Sequence, residues 1–350
     1  MDPIADPRWD EFVFSHHGAS AYHLGAWAEI NCRAYGARPR YLAAETPDGV
    51  LVGVLPLARS RGLVAGARLT SIPAARVAGP LGTTPQTETM LLRAAGARLG
   101  EYGARELIVR SFTGSYRAEL AELSRADDQP TWVLELPGTP EELPGCLHAG
   151  KRIARSVRKA GRAGVTVRET SEPADLRAFY ALYLETMRKH RSLPRRLTQL
   201  ETSRQLLAGS GVYRLFVSEL DRKIVAGGVF HLFGERLELL YNASDPRALD
   251  VQPNHALYWH AIEWAIVRGL RGFDFGGALP GTSLGEFKRQ WGAEPVPIYR
   301  YTLRPGSPGG EEPAPPPRAV GEGDSIVARA WQRAPLKLTR AAGAVAYRYL

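Results

Sequence analysis

The densest group of residues suited to chemistry lies between residues 272 and 292. A short apolar strand leads there into paired glycines, a loop of small residues and a helical turn that carries Lys288. Glycines let a backbone approach a ligand closely, and an ammonium beside a reacting carbonyl stabilises the oxyanion of acyl transfer. The segment predicts an acyl-transfer site with Lys288 as a catalytic residue and Phe287 and Trp291 against the substrate. In the alternative interpretation, those two aromatic residues anchor the turn to the core and Lys288 faces solvent.

Polar residues at two strand ends are further candidates. Asp274 ends the strand before the paired glycines, where its carboxylate either takes part in catalysis or caps the following loop. Tyr241 and Asn242 end another strand, so we expect Tyr241 to contact substrate and Asn242 or Asp245 to orient an amine or act as a base. The alternative for this second group is a polar Asx turn before Pro246.

Two clusters of basic residues predict contact with phosphate. Residues 151–168 hold seven basic residues and no acidic one, namely Lys151, Arg152, Arg155, Arg158, Lys159, Arg162 and Arg168. The first five are the candidates for binding RNA or phosphate. A second cluster, Arg188, His190 and Arg191, lies where a helix is expected to end and would hold the phosphate of an acceptor. A solvated helix face, or a basic last turn favoured by the helix dipole, explains the same clusters without a ligand.

Composition narrows the class of protein. The 350 residues are 44% hydrophobic and carry a net charge of +9, which fits a chain of two globular domains. No apolar run is long enough to predict a membrane-spanning helix, and the acidic N-terminus has no secretory signal pattern. With only two cysteines and no set of metal-ligand spacing, the sequence predicts a cytoplasmic protein without a metal or a tightly bound cofactor.

The pattern of elements predicts an α/β chain in which each half contributes helices and a mixed sheet. In the first half, helices are expected at 22–35 and 87–102, and strands at 39–45, 50–58, 106–110 and 132–136. In the second half, a basic helix precedes a strand at 165–168, a helix at 175–190 and strands at 213–219, 223–232 and 236–242. A long helix at 254–268 and a strand at 272–276 follow.

These elements predict an N-terminal domain at 1–139 and a C-terminal domain at 140–304. Residues 305–324 are rich in Pro and Gly and predict a flexible linker. Residues 325–350 form a basic amphipathic tail interrupted by Pro335, expected to dock on the body of the protein or to lie on an anionic membrane surface.

The segments 273–276, 287–288 and 291–295 resemble the C-terminal signature of the Fem peptidyltransferases and of the related BioF2-like acyltransferases of the GNAT superfamily. The basic stretch 151–165 is similar to the entry of that domain. The resemblance covers residues 140–303, and over residues 1–139 it is one of pattern only. It implies tandem GNAT-like domains with mixed, mainly antiparallel sheets flanked by helices.

The resemblance also implies a reaction. Fem enzymes transfer an aminoacyl group from a charged transfer RNA to the amine of a peptidoglycan precursor. By this likeness, Lys288 would position the RNA end or stabilise the tetrahedral intermediate. One departure is that the helical hairpin inserted in some Fem proteins is absent, since residues 148–165 have no room for it.

The donor stays open between aminoacyl-tRNA and acyl-coenzyme A. Coenzyme A users of the GNAT fold hold the pyrophosphate on a glycine-containing turn at a helix N-terminus. Here the helix at 254–268 is preceded by residues 249–253, which contain no glycine, and Pro253 lacks a backbone donor. The first hypothesis is therefore an aminoacyl-tRNA-dependent transferase acting on a cell-envelope or natural-product amine. The others are an acyl-coenzyme A N-acyltransferase linked to envelope or exopolysaccharide assembly, and a non-catalytic GNAT-like binding module.

Overall fold

The computed structural model describes residues 2–62, 66–73, 75–314 and 326–349, which form two compact units. Within the described residues, unit 1 comprises the chain up to residue 128 together with 297–314 and 343–349, and unit 2 comprises 129–296 and 326–342. The units differ from the predicted boundaries, because residues 129–139 fall in unit 2 and residues 297–304 fall in unit 1. The boundaries differ because strands from distant parts of the chain pair with each other, and the order of elements in the sequence does not reveal this pairing.

The first elements along the chain are α1 (Arg8–Ser15), α2 (Ala26–Tyr35), β1 (Arg38–Pro39), β2 (Leu42–Glu45), β3 (Leu51–Leu55), β4 (Leu57–Gly62), β5 (Gly66–Ser71), β6 (Leu81–Gly82), α3 (Pro85–Ala97), β7 (Leu107–Ser111), α4 (Tyr116–Glu119) and β8 (Ser124–Glu135). The remaining elements are α5 (Leu143–Cys146), α6 (Gly150–Arg162), β9 (Thr166–Thr170), α7 (Pro173–Lys189), α8 (Leu197–Leu207), β10 (Tyr213–Leu220), β11 (Lys223–Phe233), β12 (Arg236–Ser244), α9 (Pro253–Val267), β13 (Gly272–Gly277), α10 (Ser283–Gln290), β14 (Glu294–Leu303), α11 (Ile326–Arg333) and α12 (Leu336–Tyr349).

Unit 1 contains two sheets. Strands β1, β4, β5, β7 and the end of β14 lie side by side, with β4 and β5 antiparallel, β5 and β7 parallel, and β7 and β14 antiparallel. Strands β2, β3 and β6 form a small antiparallel sheet. The helix α3 buries Leu91, Leu92 and Ala95 in a core that includes Leu55, Leu69 and Tyr301. β5 and the pairing of β14 with β7 were not predicted.

Unit 2 is built on the antiparallel series β9, β10, β11 and β12, followed by β13 in parallel with β12 and β8 antiparallel to β13. Parallel neighbours need a crossover connection, and α9 supplies it. This helix is apolar on most sides, which suits a buried position, and it packs against Phe216, Phe230 and Phe273 in the core. The predicted architecture of mixed, mainly antiparallel sheets flanked by helices is confirmed.

The predicted linker is wrong for residues 305–314. Within unit 1, the N–H of Arg125 donates to the carbonyl of Gly310 at 2.8 Å, and the N–H of Glu312 donates to the carbonyl of Arg125 at 2.7 Å. The carboxylate of Glu311 pairs with Arg117, and that of Glu312 pairs with Arg304. These contacts attach the segment to unit 1, so it is not a free chain despite its Pro and Gly content. The rest of the predicted linker lies outside the described residues.

The C-terminal tail forms two helices, α11 and α12, which are separated at Pro335. Its first part docks within unit 2 on the end of α7: Arg188 Nη1 donates to the carbonyl of Ala334 at 3.2 Å, and Gln332 Nε2 donates to that of Lys189 at 3.0 Å. Among the described helices, none combines the length and apolarity that crossing a membrane requires.

Candidate functional site

Lys288 is buried in unit 2 and bound to the end of β13. Its side chain is 4% exposed, and its Nζ donates to the carbonyl of Gly276 at 2.7 Å and to that of Gly277 at 2.8 Å. The helix α10 directs Lys288 inward from a start capped by the hydroxyl of Thr282, which accepts from the N–H of Gly285. The alternative in which Lys288 faces solvent is wrong, because the ammonium replaces water with two backbone acceptors.

Asp274 stabilises the same strand end. Its buried carboxylate accepts hydrogen bonds from the hydroxyl of Thr131 and, at 2.7 Å, from the N–H of Gly276. Gly276 has φ of 77°, a left-handed conformation that favours glycine. Asp274 and Lys288 thus fix the N–H and the carbonyl of one residue, Gly276. Thr131 on β8 was not predicted, because no local pattern links it to a residue so distant in sequence.

Strands β12 and β13 diverge beside this point. They pair in parallel only from Arg236 opposite Gly272 to Glu238 opposite Asp274. Beyond that register, β12 continues to Ser244 alongside β11, and the end of β13 pairs with β8 through Gly277 and Thr131. The carboxyl ends of the two strands therefore border an opening in the sheet, which is the candidate site of unit 2.

Tyr241 and Asn242 lie on the β12 side of that opening. The ring of Tyr241 packs edge-on against Tyr183 with centroids 5.5 Å apart, and its hydroxyl accepts from Gln199 at 3.4 Å. Asn242 Nδ2 donates to the carbonyl of Gly227 at 3.1 Å and to the side chain of Asn254 at 3.3 Å. An amide has no basic lone pair comparable to a carboxylate, so Asn242 can orient a ligand but not remove its proton.

Asp245 forms the polar turn that was the alternative for this group. Its carboxylate accepts from the backbone N–H of Arg247 at 2.9 Å and pairs with the guanidinium of the same residue. The hydrogen bond to Arg247 lowers the pKa of Asp245 below its ordinary value. A carboxylate stabilised in this way is a weaker base.

The aromatic residues near Lys288 are packing residues. Trp291 is fully buried and packs against Tyr258, Phe275 and His255. The half-buried Phe287 lies edge-on to His255, with ring centroids 5.9 Å apart. The structure therefore agrees with the alternative in which Phe287 and Trp291 anchor the turn to the core. Trp291 presents no exposed surface to a substrate.

The two basic clusters differ. On α6, Ile153 and Ala160 face the core and the six cations from Lys151 to Arg162 are exposed; within the described chain none of the six has an acidic partner within 4.0 Å. The side chain of Arg152 hydrogen-bonds Gln290 at the end of α10. Arg168 is separate, because it pairs with Asp175 and Glu219.

One member of the second cluster, Arg188, contacts the tail. Arg188 donates to Ala334, as described above, and burial followed by the charge of Lys189 lowers the pKa of His190. Arg191 has φ of 54°, in the left-handed region that ends the helix. These residues remain candidates for phosphate contact, with Arg188 already engaged.

His260 and Glu263, which lie three residues apart on α9, have other contacts. His260 packs edge-on against Phe216, and the indole N–H of Trp259 donates to Glu263 at 2.6 Å. In the part of the chain that the structure describes, no three His, Cys, Asp or Glu residues are grouped as metal ligands.

Comparison with known proteins places this site in a familiar domain. Residues 148–289 match the model of the acetyltransferase (GNAT) domain. The structure resembles FemX, with a TM-score of 0.67 and 16% identity over 85% of this chain and 95% of that chain. It also resembles L-PGS from Bacillus licheniformis, with a TM-score of 0.59 and 14% identity over 87% of this chain and 94% of that chain.

A third similar structure is a tandem GNAT protein from the clavulanic acid biosynthesis pathway, with a TM-score of 0.50 and 13% identity over 86% of this chain and 95% of that chain. No curated protein sequence matches the chain. The predicted resemblance is confirmed as a match to the GNAT domain over residues 148–289 and as a likeness of fold to FemX.

Proposed function

We propose that this chain, whose residues 148–289 carry an acetyltransferase (GNAT) domain, transfers an aminoacyl group from aminoacyl-tRNA to an amine. The observation that carries the proposal is the buried Lys288 ammonium, held against two carbonyls where β12 and β13 diverge. The domain match supports acyl transfer in general. The choice of an aminoacyl donor and of a cell-envelope or natural-product acceptor, in the cytoplasm, is part of the proposal.

In the proposed reaction, the acceptor amine attacks the ester carbonyl carbon of the donor. A C–N bond forms, an oxyanion develops, and collapse of this intermediate breaks the ester C–O bond. The proton lost by the amine passes to the departing ribose oxygen, so the products are an amide and a hydroxyl. Positive charge and fixed N–H donors near the oxyanion lower the barrier.

Lys288, Asp274 and Asn242 act in this proposal as positioning residues. Lys288 and Asp274 hold opposite polar groups of Gly276, which keeps the end of β13 in one conformation before substrate arrives. Preorganised backbone dipoles are effective because they need no rearrangement during the reaction. Asn242 and Tyr241 border the same opening and are assigned to the amine acceptor, and Phe287 to the wall of the site.

Two features favour tRNA as donor. The exposed cations of α6 have no acidic partners among the described residues, so they are available to phosphates. The second feature is the start of α9, where Gln252, with φ of 60°, is followed by Pro253. This start has no glycine-containing turn of the kind that holds a pyrophosphate. Arg188, His190 and Arg191 are assigned to a phosphate of the acceptor.

A second candidate is acyl-coenzyme A-dependent N-acyl transfer, favoured by the description of the matching domain as an acetyltransferase. There the thiol of coenzyme A is the leaving group and takes the proton. A non-catalytic module is the remaining possibility, since the hydrogen bonds of Lys288 and Asp274 also have a purely structural value.

The test incubates the protein with a pool of radiolabelled aminoacyl-tRNA and a set of amines, and separates labelled amides by chromatography. The proposal is supported if Lys288→Met abolishes label transfer and Lys288→Arg partly restores it. The restored activity should be seen in kcat and not in KM. Transfer only from acyl-coenzyme A selects the second candidate. No transfer from either donor, by protein whose circular dichroism is native, refutes both.

The role of α6 is tested with matched charge reversals. Arg155→Glu with Arg158→Glu should weaken tRNA binding at least tenfold and reduce its salt dependence. Arg177→Glu with Lys223→Glu changes charge equally at exposed positions outside α6 and should have little effect. Equal loss in both pairs would mean that net charge, rather than α6, binds RNA.

A further inference from the structure

Unit 1 contains a cleft of about 340 Å³ that the proposed function does not use. Its lining comes from the end of α1, from residues 77–85 before α3, from the first turn of α3, and from the end of β7 with α4. That volume lies in the range of small-molecule binding sites. The sequence did not predict this cleft, although the segment Gly79-Pro80-Leu81-Gly82 forms part of its wall.

Two histidines fix the glycine segment that lines the cleft. The Nδ1 of His16 accepts a hydrogen bond from the N–H of Gly18, and its Nε2 contacts the carbonyl of Gly82 at 3.1 Å. The Nδ1 of His23 accepts a hydrogen bond from the N–H of Ser20, and its Nε2 contacts the carbonyl of Gly79 at 3.0 Å. Each histidine thus contacts a nearby N–H through its Nδ1 and a glycine carbonyl of this segment through its Nε2. These two imidazoles therefore hold the cleft in shape.

The lining of the cleft combines carboxyl groups with imidazoles. Glu88 and Glu119 contribute carboxyls, the histidines His16, His17 and His23 contribute imidazoles, and among the described lining residues there is no lysine or arginine. The carboxylate of Glu88 accepts from the hydroxyl of Tyr116 at 2.7 Å and from the backbone N–H of Gly82. Both partners are donors and favour the ionised form, but burial outweighs them and raises the pKa of Glu88 above its ordinary value. An ammonium ligand beside this carboxyl would favour its ionised form, and the described lining offers no lysine or arginine to pair with an anionic ligand.

The remaining lining suits an alkyl chain that ends in a cation. Leu81, Val77 and Phe112 are apolar, and the ring of Phe112 is 37% exposed. Aromatic faces attract ammonium groups, and a carboxylate supplies the counter-charge. Hydroxyl groups of Ser111 and Thr113 add polar atoms to the lining.

From this combination we propose that the cleft of unit 1 binds a small molecule with a primary alkylammonium group, with Glu88 as its counter-ion and Phe112 against its chain. The proposal does not rest on the proposed function, because all of its residues belong to unit 1 and Lys288 belongs to unit 2.

Isothermal titration calorimetry with three probes of one chain length tests it: pentylamine, 1-pentanol and pentanoate. At neutral pH these are cationic, neutral and anionic. Pentylamine should bind at least tenfold more tightly than 1-pentanol, and pentanoate should give no binding heat. Equal affinity for the amine and the alcohol, tighter binding of pentanoate, or no heat with pentylamine would each overturn the proposal.

Variants locate the binding. Glu88→Gln keeps the size of the side chain and should weaken pentylamine binding at least tenfold, whereas Glu101→Gln, an exposed glutamate of the same unit outside the cleft, should leave it unchanged. If Glu88→Gln does not fold, Phe112→Ala serves instead, since that ring is partly exposed and its loss should also weaken binding. Lys288→Met should bind pentylamine normally, which separates failure of this proposal from failure of acyl transfer. Unchanged binding in both cleft variants would refute the assignment.

Discussion

The ammonium of Lys288 donates to the carbonyl of Gly276 at 2.7 Å, although the two residues belong to different elements. The N–H of Gly276 is in turn bound by Asp274. One glycine therefore has both backbone polar groups held by charged side chains. Because buried charges are stable only when fully hydrogen-bonded, this arrangement couples the stability of β13 to the candidate site.

Replacing Lys288 by Met should lower the free energy of unfolding by about 3 kcal/mol, since two buried carbonyls lose their donor. Urea unfolding followed by tryptophan fluorescence measures this. Lys151→Met, at an exposed position of α6, is the control and should change stability little. A Lys288→Met protein as stable as the control would show that the two hydrogen bonds are not needed for folding.

Thr131→Val should destabilise unit 2 by about 1–3 kcal/mol, because the buried carboxylate of Asp274 loses a donor at nearly constant side-chain volume. The same change at Thr166, an exposed residue of β9, is the matched control. Chemical unfolding of both variants gives the comparison. Equal midpoints would contradict a stabilising role for the contact between Thr131 and Asp274.

Gly309→Ala should destabilise unit 1, whereas Gly310→Ala should be tolerated. A Cβ at Gly309 would collide with the backbone carbonyls of Ala121 and Leu123, and a Cβ at Gly310 meets nothing within 4 Å. Limited proteolysis near residues 305–314 and thermal unfolding report the difference. If the two variants behave alike, this segment does not pack against unit 1 in solution.

Stability should fall as the pH is lowered from about 6.5 to 4. Burial lowers the pKa of His23 from 6.5 to about 4 and that of His231 from 6.5 to about 3. Between the folded and unfolded pKa values only the unfolded state binds the proton, so acid favours unfolding, by up to about 3 kcal/mol for each histidine.

Unfolding free energies at pH 7 and pH 4.5 measure this loss. His231→Leu should reduce the slope with pH, because it removes one of the two buried titrating groups. His148→Gln, at an exposed position, should leave the slope unchanged. A slope that is the same in all three proteins would contradict the assignment to buried histidines.

Local patterns predicted most helices and strands but not their partners. The strand at 272–276 and the helix at 254–268 were expected, and the structure has β13 and α9 with ends shifted by one residue. The helix α8 was missed, because its buried face combines leucines with Gln199, Thr202 and Ser203 and so lacks clear apolar periodicity.

The sequence by itself predicted the mixed α/β fold and the likeness to GNAT domains, and it singled out residues 272–292 as the candidate site, because strand alternation, glycine turns and the Phe287-Lys288 pair are local features. Only the tertiary structure decided that Lys288 is buried against Gly276 and that Thr131 binds Asp274. It alone decided that residues 305–314 attach to unit 1 and that Glu88 and Tyr116 share a cleft. Each of these contacts joins residues far apart in the chain or on separate elements, and the packing that brings them together depends on many side chains at once.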